Sequence, residues 1–209
     1  MKILLFLLII LVLVITNISH FEEKPLFFVH IPKNAGTSIE ELFKKYNYNI
    51  GKYSLSGKID NISEWHFPPK YMKNIKYSEY ITFCVVREPI SRFVSAVNFQ
   101  ITITGKDIPD INVFTKYVLN TDTLRNFDCH FLPQSEYLYD AYGNKIKNIL
   151  RFSHLEEDLK RFIKKYKLSV VYSNTQENVN SKKFKVSDLN DESLNLIKQY
   201  YSKDFRLNF

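Results

Sequence analysis

The run Phe27-Phe28-Val29-His30-Ile31 leads straight into Pro32-Lys33-Asn34-Ala35-Gly36-Thr37-Ser38, after which Ile39, Leu42, Phe43 and Tyr46 recur at helical spacing. An apolar, β-prone stretch, a short loop with Pro, Gly and paired hydroxyls, and an amphipathic run read as strand, anion loop and helix. The backbone N–H groups that open such a helix have no intrahelical acceptor, and the dipole there favours negative charge. A phosphate or sulfate is the natural occupant. Lys33 adds a full positive charge. The order G-x-x-x-x-G-K-[ST] of common ATP and GTP sites is not present, because Lys33 precedes Gly36. Strand, Pro, Gly and helix also follow one another in α/β proteins as plain structure, so a second element is needed to decide.

Ile81-Thr82-Phe83-Cys84-Val85-Val86 supplies it: a continuous apolar or β-branched run suited to a buried parallel strand, followed by Arg87-Glu88-Pro89. Pro89 suits a first helical turn, and Ile90, Phe93, Val94 and Val97 give that helix one apolar face. Arg87 at the strand end and Ser95 two turns on can be directed at one anion, Arg offering a planar, permanently charged fork. One βα turn with a lysine and another with an arginine imply a ligand with two separated phosphate-type groups.

The pair Val29-His-Ile-Pro-Lys-Asn-Ala-Gly-Thr-Ser38 and Val86-Arg-Glu-Pro-Ile-Ser-Arg-Phe-Val-Ser-Ala96 resembles the two nucleotide motifs of sulfotransferases that use 3′-phosphoadenosine 5′-phosphosulfate (PAPS). Within that family, the chain resembles the membrane-anchored carbohydrate group that includes uronyl 2-O-sulfotransferases. The resemblance continues through Asp128-Cys-His-Phe-Leu-Pro-Gln134, Leu150-Arg-Phe-Ser-His-Leu-Glu-Glu-Asp-Leu159 and Tyr200-Tyr-Ser-Lys-Asp-Phe-Arg-Leu207, spanning residues 26 to 209. Asn34 and Ala35 depart from the Pro-Lys-Thr-Gly-Gly-Thr form usual in the family, while Lys33, Gly36, Thr37 and Ser38 remain.

The resemblance implies transfer of a sulfuryl group from PAPS to a hydroxyl of a carbohydrate, without a metal, leaving 3′-phosphoadenosine 5′-phosphate. The loop from Lys33 through Asn34, Ala35, Gly36, Thr37 and Ser38 would hold the 5′-phosphate, with Lys33 also stabilising the leaving oxygen. Arg87 and Ser95 would hold the 3′-phosphate, and Arg92 is either a further ligand or a packing residue. Lys182, with Asn180 and Ser181, falls where related enzymes close a loop over the nucleotide. A hydroxyl needs a base, and His suits neutral pH. His66, in Glu64-Trp65-His66-Phe67-Pro68, occupies the position of the base in the 2-O-sulfotransferase-like enzymes. His130 is the rival, Glu64 the next alternative, and His130 and Gln134 otherwise line the acceptor cleft. His20 is juxtamembrane, His30 packs or orients the loop, and His154 belongs to a helix start. Two other readings stand beside the enzyme: a non-catalytic, membrane-tethered glycan- or anion-binding protein of the same fold, and a nucleotide kinase. The acceptor's identity, protein tyrosine and lipid included, and the oligomeric state are open.

Residues Ile3 to Ile15 are unbroken apolar after Lys2, short for a spanning helix and within the range of a signal-peptide core. Thr16-Asn17-Ile18-Ser19-His20 is a poor cleavage site, so residues 1–20 read as an uncleaved signal anchor, type II, with the rest in a Golgi-like lumen; cleavage would make the protein secreted. The sequons Asn17-Ile18-Ser19 and Asn61-Ile62-Ser63 are compatible with that compartment. A net charge of +7 suits an anionic partner, but no nucleic-acid-binding signature accompanies it. Cys84 and Cys129 give no zinc or iron–sulfur spacing. Each is a buried thiol unless the two form a disulfide.

Residues 21–209 suffice for one α/β domain. Strand and helix alternate, favouring a P-loop-like parallel sheet of four to five strands flanked by helices, with the ligand at the strands' carboxyl ends. Lys147 to Phe152 and Val170 to Tyr172 are the later strand candidates. Ser153-His-Leu-Glu156 has capping-box form, a helix is expected near Val113 to Leu119, and a last one from Asp191 with Leu194, Ile197 and Tyr201 inward. Residues 47–79 read as loop and short helix carrying substrate contacts.

Overall fold

Strands that are apolar on both sides of the pleat must be covered on both sides, and two such strands form the centre of this molecule. A computed structural model describes residues 24–173 and 183–207. Residues 1–20, with the sequon at Asn17 and with His20, and the loop residues Asn180, Ser181 and Lys182 lie outside the described residues. In chain order the elements are β1 (Leu26–Val29), α1 (Gly36–Lys44), β2 (Lys58–Ile59), β3 (Ile62–Ser63), β4 (Ile81–Val86), α2 (Pro89–Thr104), α3 (Ile111–Leu119), β5 (Asn148–Arg151), α4 (Leu155–Lys165) and α5 (Asp191–Tyr200), with single 3-10 turns between them.

The main sheet has the order β1-β4-β5, all parallel, with Phe28 opposite Phe83 and Val85 opposite Leu150. It has three strands rather than four or five. The missing candidate, Val170 to Tyr172, is not a strand. Tyrosine hydroxyls that follow α1 tie this stretch down instead: Tyr46 Oη donates to Val171 O at 3.3 Å, and the N–H of the preceding Ser169 donates to Tyr48 Oη at 3.2 Å. β2 and β3 form a separate two-residue antiparallel hairpin, turned by Asp60 and Asn61 with φ of 49° and 67°, the left-handed pair that a two-residue hairpin turn requires.

Alternate residues divide between two cores, as the period of a strand dictates. Phe28, Phe83 and Val85 pack with Ile39, Leu42 and Phe43 of α1 and Leu159 and Phe162 of α4. Phe27, Val29, Cys84 and Val86 face the opposite way. That second face is covered by irregular chain, with Ile62, Met72, Tyr77, Leu132, Tyr137 and Ile146 taking the place of helices. α2, α3 and α5 make a third cluster through Phe93, Val97, Ile111, Val118, Ile197 and Tyr201.

Helix boundaries follow local chemistry. α3 starts two residues before Val113 because Asp110 accepts from the N–H groups of Asn112 and Val113. α5 starts at Asp191 behind an Asn190 cap, with Ile197 and Tyr201 buried. The expected capping box at α4 is absent: Ser153 Oγ pairs with His154 Nδ1 at 2.8 Å, and Asp158 instead reaches back to Arg151, accepting from its N–H and its guanidinium at 2.9 Å. Cys84 and Cys129 are free and buried.

Candidate active site

A cavity of about 520 Å³ opens beyond the carboxyl ends of β1 and β4. Its floor is the turn between β1 and α1. Lys33 and Ala35 are left-handed there, with φ of 69° and 63°, and this winding turns successive N–H groups to one side as an anion nest. α1 begins with Ala35 as N-cap, no side-chain cap and no acidic residue in its first turn. The N–H groups of residues 35 to 38 have no acceptor among the described residues, the first bond of the helix being Ile39 N–H to Ala35 O at 3.1 Å. The hydroxyls of Thr37 and Ser38 line the same cavity.

Gly36 is fixed by a neighbour rather than by its own torsion: a Cβ there would lie 2.1 Å from His30 Nε2. The His30 ring is held against the loop through Nδ1, 2.7 Å from Oε1 of the fully buried Glu40. The same oxygen accepts Lys52 N–H at 2.9 Å. Gly51 is required beside it, since a Cβ there would meet Glu40 Oε1 at 2.0 Å.

The second turn, after β4, brings Arg87 and Ser95 to the same cavity. The Arg87 guanidinium lies over Phe152 at 4.4 Å, donates from Nη1 to Lys33 O at 3.1 Å and from Nε to Ser91 Oγ at 3.2 Å. Its other amino group has no protein acceptor among the described residues. Arg92 does not line the cavity. It is 1% exposed and donates to Pro32 O at 3.0 Å and His130 O at 3.2 Å, so it clamps the two loops from behind.

Lys33, Arg87 and Arg92 form no ion pair among the described residues. The Lys33 ammonium sits 3.8 Å over the Phe99 ring. Burial, then Arg87 and Arg92, push its pKa down to about 8. Burial and Arg92 also lower that of Arg87. Clustered cations are unfavourable beside one another and favourable beside a polyanion.

Facing these cations is a row of imidazoles. His30 and His66 meet edge to face at 4.7 Å, His66 and His130 at 5.0 Å, and His130 stacks on Phe99 at 4.8 Å. His66 Nδ1 is 2.7 Å from Asp128 Oδ2. Burial works against the Asp128 carboxylate, but its bonds from His66 and Ser63 outweigh this and hold its pKa at about 2. Burial lowers His66 to about 4, and burial with the adjacent His66 lowers His130 to about 3. Both rings are therefore neutral at pH 7. His66 donates from Nδ1 to the carboxylate, and His130 donates from Nδ1 to Phe127 O at 2.7 Å. Each is left with a lone pair on Nε2.

Among the residues expected from sequence, Lys33, Ala35, Gly36, Thr37, Ser38, His66, Arg87, Ser95 and His130 all line this cavity. Asn34 and Gln134 do not. Asn34 is 1% exposed and donates from Nδ2 to Val85 O at 2.7 Å and to Gln134 Oε1 at 2.6 Å. Gln134, wholly buried, also accepts Arg87 N–H at 2.9 Å and donates to Arg87 O at 2.8 Å. These two amides lock the turns together, which corrects the expectation that Gln134 lines an acceptor cleft. His154 is exposed and does not line the cavity, although Phe152 and Leu155 beside it do, and Lys182 lies outside the described residues. Asp128, Phe99 and Glu40 take part in the site without having been expected from the sequence to do so. Phe99 had a signal, one turn beyond Ser95 on the same helix face.

The model of the sulfotransferase family matches residues 17–208. No curated protein and no solved structure matches the chain.

Proposed function

The chain belongs to the sulfotransferase family, and from that premise we propose that it moves a sulfuryl group from PAPS to a hydroxyl of a carbohydrate acceptor. The observation that carries the reading is the convergence on one cavity of two anion stations and a neutral, carboxylate-backed imidazole. When bound, PAPS supplies the sulfuryl group and its 5′-phosphate receives the leaving charge. The free N–H groups of Gly36, Thr37 and Ser38, with the latter two hydroxyls, hold the 5′-phosphate. Arg87 and Ser95 hold the 3′-phosphate. Phe152 and Tyr172, both lining the cavity, give adenine an apolar wall. Lys33 neutralises the oxygen on which charge grows.

His66 takes the acceptor proton at Nε2. The imidazolium that forms is stabilised by Asp128, whose carboxylate also fixes the tautomer. His130 has only a carbonyl behind it, and Lys33 nearby opposes a charge on its ring, so His66 is the base and His130 orients the acceptor. Residues 1–20 tether the protein to a membrane of the secretory pathway, with the site in the lumen.

Labelled PAPS offered with a panel of glycans, tyrosine peptides and lipids tests this reading. Transfer to glycans is expected, and it should fall roughly 100-fold or more in His66→Ala with nucleotide binding retained. Loss in His130→Ala while His66→Ala stays active would move the base to His130. Absence of transfer together with tight nucleotide binding would favour the non-catalytic binder.

A further inference from the structure

His66, Asp128 and His130 offer more than a hydrogen-bonded base and its neighbour. One ligand atom from each, two imidazole nitrogens and a carboxylate oxygen, lie within 4.8 Å of one another. Tetrahedral zinc with ligands at about 2.0–2.2 Å places ligand atoms roughly 3.4 Å apart, so small side-chain rotations gather all three around one ion. Two of the three come from a single turn with an unusual backbone. Phe127, Asp128 and Cys129 are successive left-handed residues with φ of 59°, 51° and 61°, a conformation that non-glycine residues avoid and that persists where the surroundings enforce it.

Outer contacts already orient the ligands. Phe127 O fixes the His130 ring through Nδ1 at 2.7 Å, and Ser63 N–H holds Asp128 Oδ1 at 2.6 Å. Bonds of this kind are what tune a metal-binding imidazole and carboxylate. His66 and His130 border the cavity, and the Asp128 side chain is 31% exposed, so an ion has a way in.

We infer that His66, Asp128 and His130 form a binding site for zinc or a similar divalent transition metal, and that the bound ion inhibits the enzyme. Two imidazoles and one carboxylate suit zinc, cobalt, nickel or copper rather than magnesium or calcium. Inhibition follows whichever nitrogen of His66 is used. Coordination at Nε2 consumes the lone pair that would take the acceptor proton. Coordination at Nδ1 moves the ring proton to Nε2, with the same result. The metal site stands on its own geometry, while the inhibition rests on the proposed role of His66.

The full chain, stripped with chelator and dialysed, is titrated with zinc by calorimetry and with cobalt(II) by visible absorption. One ion per chain and the bands of four-coordinate cobalt are expected. Asp128→Ala should weaken binding at least tenfold, and His154→Ala, which removes an exposed imidazole elsewhere, should leave it unchanged. Should Asp128→Ala fail to fold, the unmodified chain decides, because cobalt must broaden the ring signals of His66 and His130 and spare that of His154. Unaltered affinity in a folded Asp128→Ala, or unmoved His66 and His130 signals at saturating metal, overturns the site. Zinc should abolish sulfuryl transfer and chelator restore it, with 3′-phosphoadenosine 5′-phosphate binding unchanged. Full turnover with the site filled overturns the inhibition. A chain that binds one ion at these residues but transfers nothing counts against the proposed function and not against the site.

Discussion

At the end of β1 the first helical turn is left bare, whereas at the end of β4 the carboxylate of Glu88 takes the N–H groups of Ile90 and Ser91 at 3.0 and 2.7 Å. Both turns join a buried parallel strand to a helix over the same cavity, yet only the first keeps its helix dipole for a ligand. The second satisfies its own helix and presents side chains instead, the Arg87 guanidinium and the Ser95 hydroxyl. A backbone station is rigid and beyond the reach of most substitutions, which suits the phosphate next to the reacting bond. A side-chain station is adjustable and removable, which suits a phosphate that serves recognition. The two turns should therefore fail in different ways.

The largest effect is expected at the first turn. Lys33→Ala should lower turnover roughly 100- to 1,000-fold, the scale for removing one preorganised donor to a developing charge. Its effect on nucleotide affinity should be much smaller, read as kcat against calorimetric Kd. A variant that loses affinity and keeps turnover would erase the distinction between the turns.

Arg87→Ala tests the second turn. The parent should prefer 3′-phosphoadenosine 5′-phosphate to AMP by roughly 10- to 100-fold, the worth of charge-assisted bonds. The variant should lose that preference while binding AMP as before. Equal binding of the two nucleotides by the parent would leave the second station without a ligand.

Titration sharpens the contrast further. With chelator present, kcat/KM should fall toward acid through about 4, as His66 protonates and can no longer accept. It should fall toward base through about 8, as Lys33 loses its charge. The acid limb should vanish in His66→Ala and the basic limb in Lys33→Arg. Because bound phosphates favour the ammonium, the basic limb of kcat should lie above that of kcat/KM. An acid limb that persists in His66→Ala assigns it to another group.

The smallest effect belongs to Glu88→Ala, which removes a helix cap and should destabilise the fold by about 1 kcal/mol, measured by denaturant titration. The preference for the 3′-phosphate should survive, since Glu88 serves its helix rather than the ligand.

What was legible in the sequence were groups set by local spacing. Lys33, Gly36, Thr37 and Ser38 are consecutive or nearly so, and Arg87 and Ser95 sit on one strand-helix unit, so motif and helical period were enough. What was not legible depends on closure of long loops. Asp128 meets His66 across 62 residues and Gln134 meets Asn34 across 100, and no local pattern announces such a pair. Asn34 read as a ligand because its neighbours are, yet its amide serves the scaffold. Val170 to Tyr172 has strand composition, but no strand among the described residues offers it a ladder, and a tyrosine hydroxyl takes the Val171 carbonyl instead.

Gln134 carries a consequence for the order of assembly. Its backbone N–H is held by Asp204 Oδ2 at 2.7 Å, and the other oxygen of Asp204 accepts Ser135 N–H at 2.9 Å, across 70 and 69 residues. The amide that locks the two turns is thus itself secured from a segment synthesised much later. During translation β1, α1, β4 and α2 emerge early, and Arg87, Arg92 and Asn34 can already join their turns, but the Gln134 bridge is not secured until residue 204 has left the ribosome. A nascent chain would be expected to have its sheet before it has a working site.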